Sequence, residues 1–313
     1  MKVSNEALFY AKILLFGEYG IIKDSMGLSI PLSDYGGRFQ KAEEGQNTSD
    51  STEPLKKYLS YLQTLQSENN LPCELDLVSF EEDLEEGFYF QSSIPQGFGI
   101  GSSGALVAAI YSRYALNPID KSASIEKNDL IELKKILGSL ESYFHGKSSG
   151  LDPLIAYLQL PVLIKSQEDL GTIHLAANLE GKGGIFLINS GKPGSTQNMV
   201  NIFLEKMKQE GFRTMLKDQF IKYNDACIKS FIKGEAKGLF RNLKQLSKVL
   251  LENFSPMIPE DFQDLWKKGI DSGDYYLKLC GSGGGGFILG FTQDYEKASQ
   301  ILSEYRPELI QRI

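Results

Sequence analysis

Apolar residues along the chain fall into short runs and helical stripes separated by glycine- and polar-rich breaks. Residues 7–16, ALFYAKILLF, are apolar but for Lys12 and are bounded by Gly17 and Gly20, the pattern of a buried strand. The stretch 40–53, QKAEEGQNTSDSTE, is polar and turn-rich and predicts an exposed excursion. Pro54 then opens a helix with Leu55, Tyr58, Leu59, Leu62 and Leu65 on one face. The acidic run EEDLEE at 81–86 predicts a solvated loop. GFYFQSSIP (87–95) reads as a strand, and residues 104–116 as a helix apolar on nearly every side, therefore buried, stopped by Asn117 and Pro118. Residues 129–144 predict a helix with a core stripe of Leu130, Leu133, Leu137, Leu140 and Phe144, ended by Gly146. GGIFLINSGKPGST (183–196) is a strand and turn, followed by amphipathic helices over about 197–270. Near the end come a strand, YYLKLCG, a glycine loop, GSGGGG, and a second strand, FILGFT.

With 313 residues the chain has room for two domains, which the pattern divides as 1–182 and 183–313. A net charge of -7, with Lys and Arg scattered rather than clustered, speaks against a nucleic-acid partner. Cys73, Cys227 and Cys280 are widely spaced and there are only two histidines, His145 and His174. That composition weighs against a disulfide framework or a structural zinc site and fits a reducing compartment. The apolar run near the N-terminus is interrupted by Lys12 too soon for a secretory signal, and no stretch reaches membrane-spanning length. The expectation is a cytoplasmic protein without a membrane partner.

Five features carry candidate chemistry. PQGFGIGSSGALVAAIY (95–111) sets Gly97, Gly99, Gly101 and Gly104 beside Ser102 and Ser103 in front of a helix. The first turn of a helix leaves N–H groups unpaired and carries partial positive charge, so such a loop is a candidate phosphate site; the competing reading is a tight packing turn. It is not a P-loop, because no GK[ST] follows, nor the dinucleotide fingerprint. Lys12 lies among apolar strand neighbours, where an ammonium must meet an anion or reach out to water. Glu141 sits one turn beyond Leu137 at the margin of the core stripe, a place for a carboxylate paired with a cation, or for a surface charge. In HGKSSGLDPLIAY (145–157), Asp152 before Pro153 has the form of a helix cap, which leaves Ser148, Ser149 and Gly150 unexplained. Finally, KLCGSGGGGFILGF places five glycines in six positions between strands, as needed where backbone must approach a ligand or another backbone.

Taken in order, AKILLFGEYGII (11–22), PQGFGIGSSGALVAA (95–109) and KLCGSGGGGFI (278–288) resemble the three motifs of the GHMP kinase superfamily, named for galacto-, homoserine, mevalonate and phosphomevalonate kinases. Within it, HGKSSGLD is similar to the HGxxSGxD stretch of the mevalonate kinases, and Glu141 stands at their distance ahead of Asp152. The resemblance implies an α+β, two-domain fold, with an N-terminal ribosomal-S5-like α/β domain and a C-terminal ferredoxin-like domain. It implies ATP and Mg²⁺ as cofactors, a small-molecule substrate and a homodimer as a common assembly. Catalytic roles fall to Asp152, which takes or orients the proton of the acceptor hydroxyl, and Lys12, which supports it and the charge on the transferred group. Gly97, Gly99, Gly101, Ser102, Ser103, Gly104, Gly283 and Gly284 would serve the nucleotide. Ser103 and Glu141 would hold the metal, while Glu18, Tyr19, Ser149, Gly150 and Thr196 would face the substrate.

The activity so implied is ATP-dependent phosphorylation of the 5-hydroxyl of mevalonate. Tyr19 stands where mevalonate kinases usually carry His, and Gly194 where they tend to carry Arg, leaving Lys192 as the only nearby cation. GEY together with GSSGA is similar to phosphomevalonate kinase. The alternatives are therefore phosphomevalonate kinase or a sugar kinase of the same superfamily, and a non-catalytic nucleotide sensor on the same fold. Neither His145 nor His174 has the setting of a catalytic histidine.

Overall fold

In the computed structural model, which describes residues 7–23, 25–121, 125–166, 168–175 and 181–313, the first apolar run becomes β1, Phe9–Phe16. The six residues that open the N-terminal stretch weighed above as a signal lie outside the described residues. β2, Gly27–Lys41, follows as a strand of 15 residues that the hydropathy pattern does not single out, because Pro31, Gly36 and Gly37 break it. Next come α1 (Ser49–Ser67), α2 (Leu77–Glu85), β3 (Phe88–Ser92), α3 (Ser102–Tyr114), α4 (Lys127–His145) and α5 (Leu151–Leu158). The later part holds β4 (Val162–Ser166), β5 (Asp169–Thr172), β6 (Gly184–Asn189), α6 (Thr196–Lys206), α7 (Glu210–Met215), α8 (Lys222–Ile232), α9 (Ala236–Asn253) and α10 (Glu260–Ser272). β7 (Tyr276–Leu279), β8 (Phe287–Thr292), α11 (Tyr295–Ile301) and β9 (Glu308–Arg312) complete it. The mixture of helices and sheets is that of the α+β class.

The chain divides into two compact units. One takes the chain up to Lys12, Pro31–Pro95 and Gly101–Leu160; the other takes Ile13–Ile30, Gln96–Ile100 and Pro161–Ile313. β1 and β2 thus each contribute residues to both.

In the first unit β3 runs antiparallel to the end of β2, with Gly37 opposite Ser92 and Lys41 opposite Phe88. The helices bury α3, whose Ala105, Val107, Ala108, Ile110 and Tyr111 are all inaccessible, as its all-round apolar sequence requires. α1 begins at Ser49, five residues before the expected Pro54, which lies inside the helix. Thr48 holds the cap position without a side-chain bond, and just ahead of it the Asn47 side chain accepts from the Ser49 N–H at 3.0 Å. Leu55, Tyr58, Leu59 and Leu62 are buried as the stripe predicts. The acidic run expected to be a loop is instead the C-terminal half of α2. Asp76 caps that helix by accepting from the Ser79 N–H at 3.0 Å, and Leu77, Phe80 and Leu84 share its buried face, while Glu81, Glu82 and Glu85 are exposed and Asp83 pairs with Arg113 at 2.7 Å.

In the second unit the start of β2 pairs antiparallel with β4, and β4 with β5. A separate antiparallel sheet has the order β7-β8-β6-β9. Three of its strands, β6, β7 and β8, carry almost uninterrupted buried residues, with all six of β8 covered, whereas the edge strand β9 is half-buried to exposed. α9 and α10 supply the apolar cover with Leu243, Leu246, Leu250, Phe262 and Trp266, whose indole N–H donates to the Ser247 carbonyl at 3.0 Å. Between α7 and α8 the helix passes through a π-helical turn, Leu216–Ile221. Among the described residues none of Cys73, Cys227 and Cys280 is in a disulfide, and no helix is long and apolar enough to cross a membrane.

Candidate functional site

The singled-out residues fall into two groups, one within each unit. In the first unit Lys12 lies on β1 with only 5% of its surface exposed, and its ammonium meets Asp152 Oδ1 at 3.0 Å. Of the two ways a lysine can sit in an apolar strand, it therefore takes the buried one, with an anion as partner. Asp152 does not cap α5. The cap position belongs to Gly150, in the left-handed conformation (φ 74°), and Asp152 is the second residue of the helix, its side chain directed to Lys12. The side chains differ in access, 6% for Lys12 against 36% for Asp152, so the ammonium backs a carboxylate that remains open to solvent.

Gly104 explains how the start of α3 reaches this pair. A Cβ at Gly104 would lie 2.7 Å from the Asp152 carbonyl carbon and 2.8 Å from the Pro153 nitrogen, so only glycine lets the first turn of α3 pack on the first turn of α5. Gly101, the residue before α3, lies over the Lys12 stem and toward Asp152 Oδ2. No side chain caps α3, and Ser102 and Ser103 are half-buried in its first turn. The helix terminus thus carries the uncapped N–H groups and partial positive charge of an anion site.

Behind that turn, the Ser103 hydroxyl donates to Glu141 Oε1 at 2.9 Å, and the Ser148 hydroxyl donates to Glu141 Oε2 at 2.5 Å. Ser148 Oγ also accepts from the Gly150 N–H at 3.0 Å, which ties the loop before α5 to the same carboxylate. His145 Nε2 stands 3.0 Å from Ser103 Oγ. Glu141 is 3% exposed, a buried carboxyl rather than a surface charge. Burial, and then the negative charge of Asp152, push its pKa up to about 7, against the opposing pull of the two serine hydroxyls and Lys12. Ser149 is exposed and Gly150 buried in the turn leading to Asp152.

In the second unit, residues 96–100 lie directly on the loop after β7. A Cβ at Gly99 (φ 80°) would stand 2.5 Å from the Cys280 carbonyl oxygen, a contact only glycine permits. The Gly97 carbonyl accepts from the Gly194 N–H at 2.8 Å, and the Phe98 carbonyl from the Phe287 N–H at 3.3 Å. The loop is pinned from behind as well, with the Gly284 N–H on the Met257 carbonyl and the Gly286 N–H on the Lys192 carbonyl, each at 2.6 Å. Gly283 and Gly284 both take positive φ. Thus the glycines of both loops in this unit are accounted for in part by the close approach of protein backbone.

Glu18 pairs with Lys278 of β7, and both side chains are almost wholly buried, at 5% and 2% exposure. Lys278 Nζ also donates to the Leu279 carbonyl at 2.9 Å. Tyr19, the next residue, has φ 60° and donates its hydroxyl to the Ser282 carbonyl at 2.5 Å. Its ring stacks on Phe203 at 4.6 Å, and burial holds its phenol well above the usual range. Thr196, exposed at the start of α6, accepts from the Ser282 hydroxyl at 3.3 Å.

Three members of these groups, His145, Ser148 and Lys278, are given no site role by the sequence. His145 has a signal in its place four residues after Glu141, on the same helix face. Ser148 is marked only by the local Ser-Ser-Gly. Lys278 has the same signal as Lys12, a lysine among apolar strand residues. His174 is exposed.

The model of the GHMP kinases N terminal domain matches residues 64–159, and that of the GHMP kinases C terminal matches residues 227–310, together more than half of the chain. No curated protein matches the chain in sequence. Among solved structures similar to it, L. major mevalonate kinase in complex with R-mevalonate is 17% identical with a TM-score of 0.64, the match covering 99% of this chain and 97% of that one. Streptococcus pneumoniae phosphomevalonate kinase in complex with phosphomevalonate and AMPPNP is 13% identical with a TM-score of 0.66, covering 98% and 99%. Lactococcus lactis galactokinase complexed with galactose is 12% identical with a TM-score of 0.63, covering 99% and 95%.

Proposed function

The chain belongs to the GHMP kinase family, whose members are ATP-dependent phosphotransferases acting on hydroxyl groups, and from this premise we propose that it phosphorylates the 5-hydroxyl of mevalonate. The observation that carries the catalytic part is the Lys12–Asp152 pair. A carboxylate that is 36% exposed, fixed at 3.0 Å by a buried ammonium and free of any capping duty, is placed to receive a proton. The acceptor specificity is supported by HGKSSGLD: Ser148 and Gly150 form the turn that sets Asp152, and Ser149 stands exposed beside it.

In this reading the acceptor oxygen attacks the γ-phosphorus of ATP and the bond to the β,γ-bridging oxygen breaks, with ADP leaving. The hydroxyl proton passes to Asp152. Lys12 keeps that carboxylate in place and stabilises charge on the transferring group. The N–H groups at the start of α3, with Gly101, Ser102, Ser103 and Gly104, hold phosphate oxygens, and Gly97, Gly99, Gly283 and Gly284 keep their expected nucleotide role on the other unit.

The residues present fit Mg²⁺. Glu141 and Ser103 supply two hard oxygen donors, and the charge of a bound divalent cation would relieve a carboxyl that burial and Asp152 now hold partly protonated. Among the described residues no group of three or more acidic, His or Cys side chains forms a metal cage. That suits an ion that keeps waters and takes phosphate oxygens as ligands. Bound there, Mg²⁺ would neutralise phosphate charge.

The test is coupled ADP release with Mg²⁺ and ATP against mevalonate, phosphomevalonate, galactose and homoserine in parallel. Turnover with mevalonate alone is the expected result. Preference for phosphomevalonate would follow the GEY motif instead and overturn the acceptor assignment while leaving the phosphoryl-transfer chemistry.

A further inference from the structure

Glu18 and Tyr19 are expected from the motif to face substrate, yet both side chains are turned into the protein. Burying an ion pair as completely as Glu18–Lys278 is costly and stabilises little by itself, so its presence needs another explanation. Tyr19 carries a second cost, because the left-handed region at φ 60° is strained for an aromatic residue and persists only where the surroundings determine it. The surroundings are explicit. Tyr19 is fixed by its hydroxyl on Ser282 and by stacking on Phe203, with Phe254 5.9 Å away. Three residues before the glycine loop, Lys278 fixes Glu18 on the other side of the same turn.

Both attachments end on one target. Lys278 is the penultimate residue of β7, three residues ahead of the loop 281–286, and Ser282 is the single non-glycine residue within that loop. That loop has little conformational preference of its own, with each of Gly281, Gly283, Gly284, Gly285 and Gly286 at positive φ. It also cannot move independently of residues 96–100. Gly281 Cα and Gly99 approach so closely that a Cβ on Gly281 would stand 3.1 Å from Gly99 Cα, and one on Gly286 would stand 2.5 Å from Phe98 Cα.

We propose that Glu18, Tyr19 and Lys278 are positioning residues that fix the glycine loop 281–286 and, through its backbone contacts, the nucleotide-facing segment 96–100, without themselves touching nucleotide or acceptor. The proposal rests on reading residues 96–104 as the phosphate loop.

The experiment compares wild type with Tyr19→Phe, which removes one hydroxyl and keeps the stacked ring. A fluorescent ATP analogue with Mg²⁺ reports affinity, hydrogen exchange reports the backbone of 97–99 and 281–286, and Tm reports global stability. Removal of one hydrogen bond is expected to weaken nucleotide binding about three- to tenfold, to raise KM for ATP more than it lowers kcat, and to speed exchange in those two segments with Tm nearly unchanged. Equal affinity and equal exchange in the variant would overturn the proposal, as would a loss of affinity explained entirely by a fall in Tm. The double variant Glu18→Gln, Lys278→Met removes both charges together, avoiding an orphaned ion, and should give the same local signature; protection unchanged there would also overturn it. If wild type fails to bind any adenine nucleotide, the functional reading falls, and exchange in the two segments still decides the positioning claim.

Discussion

Two lysine–carboxylate pairs begin on or just after the same strand and have opposite characters. Lys12 and Asp152 differ in exposure, 6% against 36%, so one face of the carboxylate is left for a reactant. Lys278 and Glu18 are sealed at 2% and 5%, with no face left over. A buried pair of the second kind can fix backbone but cannot exchange a proton with a substrate, and a half-open pair of the first kind can do so at little cost to stability. Chemical identity alone does not distinguish a working pair from a scaffolding one; the exposure of the carboxylate does.

Substitutions of the two lysines should break that symmetry. Lys278→Met leaves the Glu18 carboxylate buried without its partner and should cost about 3–5 kcal/mol in denaturant unfolding. An unfolding midpoint equal to wild type would mean that Glu18 finds water or another cation. Lys12→Met, by contrast, puts an apolar chain in an apolar strand and frees a carboxylate that solvent reaches, so its stability should stay within about 1 kcal/mol of wild type. Its kcat should nevertheless fall by about a hundredfold, the scale of one charged group lost from a transition state. A matching loss of stability in Lys12→Met would merge the two pairs into one class.

A smaller effect sharpens the electrostatics of the open pair. The Glu141 carboxyl has a pKa of about 7 in the folded chain against an ordinary value of 4.5, so between those values the folded state binds more protons than the unfolded one. Stability of the protein free of metal and nucleotide should therefore decrease as pH rises through that window. Glu141→Gln should flatten this slope between about pH 5 and about pH 8, as seen in Tm. An identical slope in the variant would mean that Glu141 does not titrate there.

How far these pairs were legible in the sequence follows from their neighbours. Lys12 announces itself because a cation in ALFYAKILLF has few cheap options, and Lys278 in YYLKLCG obeys the same logic. Asp152 is obscured by Pro153, since Asp-Pro is the normal signature of a helix start; only the left-handed Gly150 shows that the cap lies elsewhere. Glu141 at the edge of a stripe is ambiguous until the loop 146–150 closes over it. The apolar helices are readable from periodicity, whereas β2 is not, because Pro31 and the adjacent glycines hide a strand that is held by its partners β3 and β4. The acidic half of α2 likewise hides behind its charges, although Leu77, Phe80 and Leu84 keep helical spacing. Side chains that meet through turns, such as Ser103 with His145 and Ser148 with Glu141, leave the weakest trace.

The central claim is that Asp152 acts on the acceptor rather than on helix α5. The direct measurement is kcat of Asp152→Asn beside the affinity of the same variant for the ATP analogue with Mg²⁺. The account predicts a fall in kcat of about 10²–10⁴ with nucleotide affinity within about twofold of wild type. A variant that turns over at the wild-type rate would contradict it and leave the Lys12–Asp152 pair a structural contact.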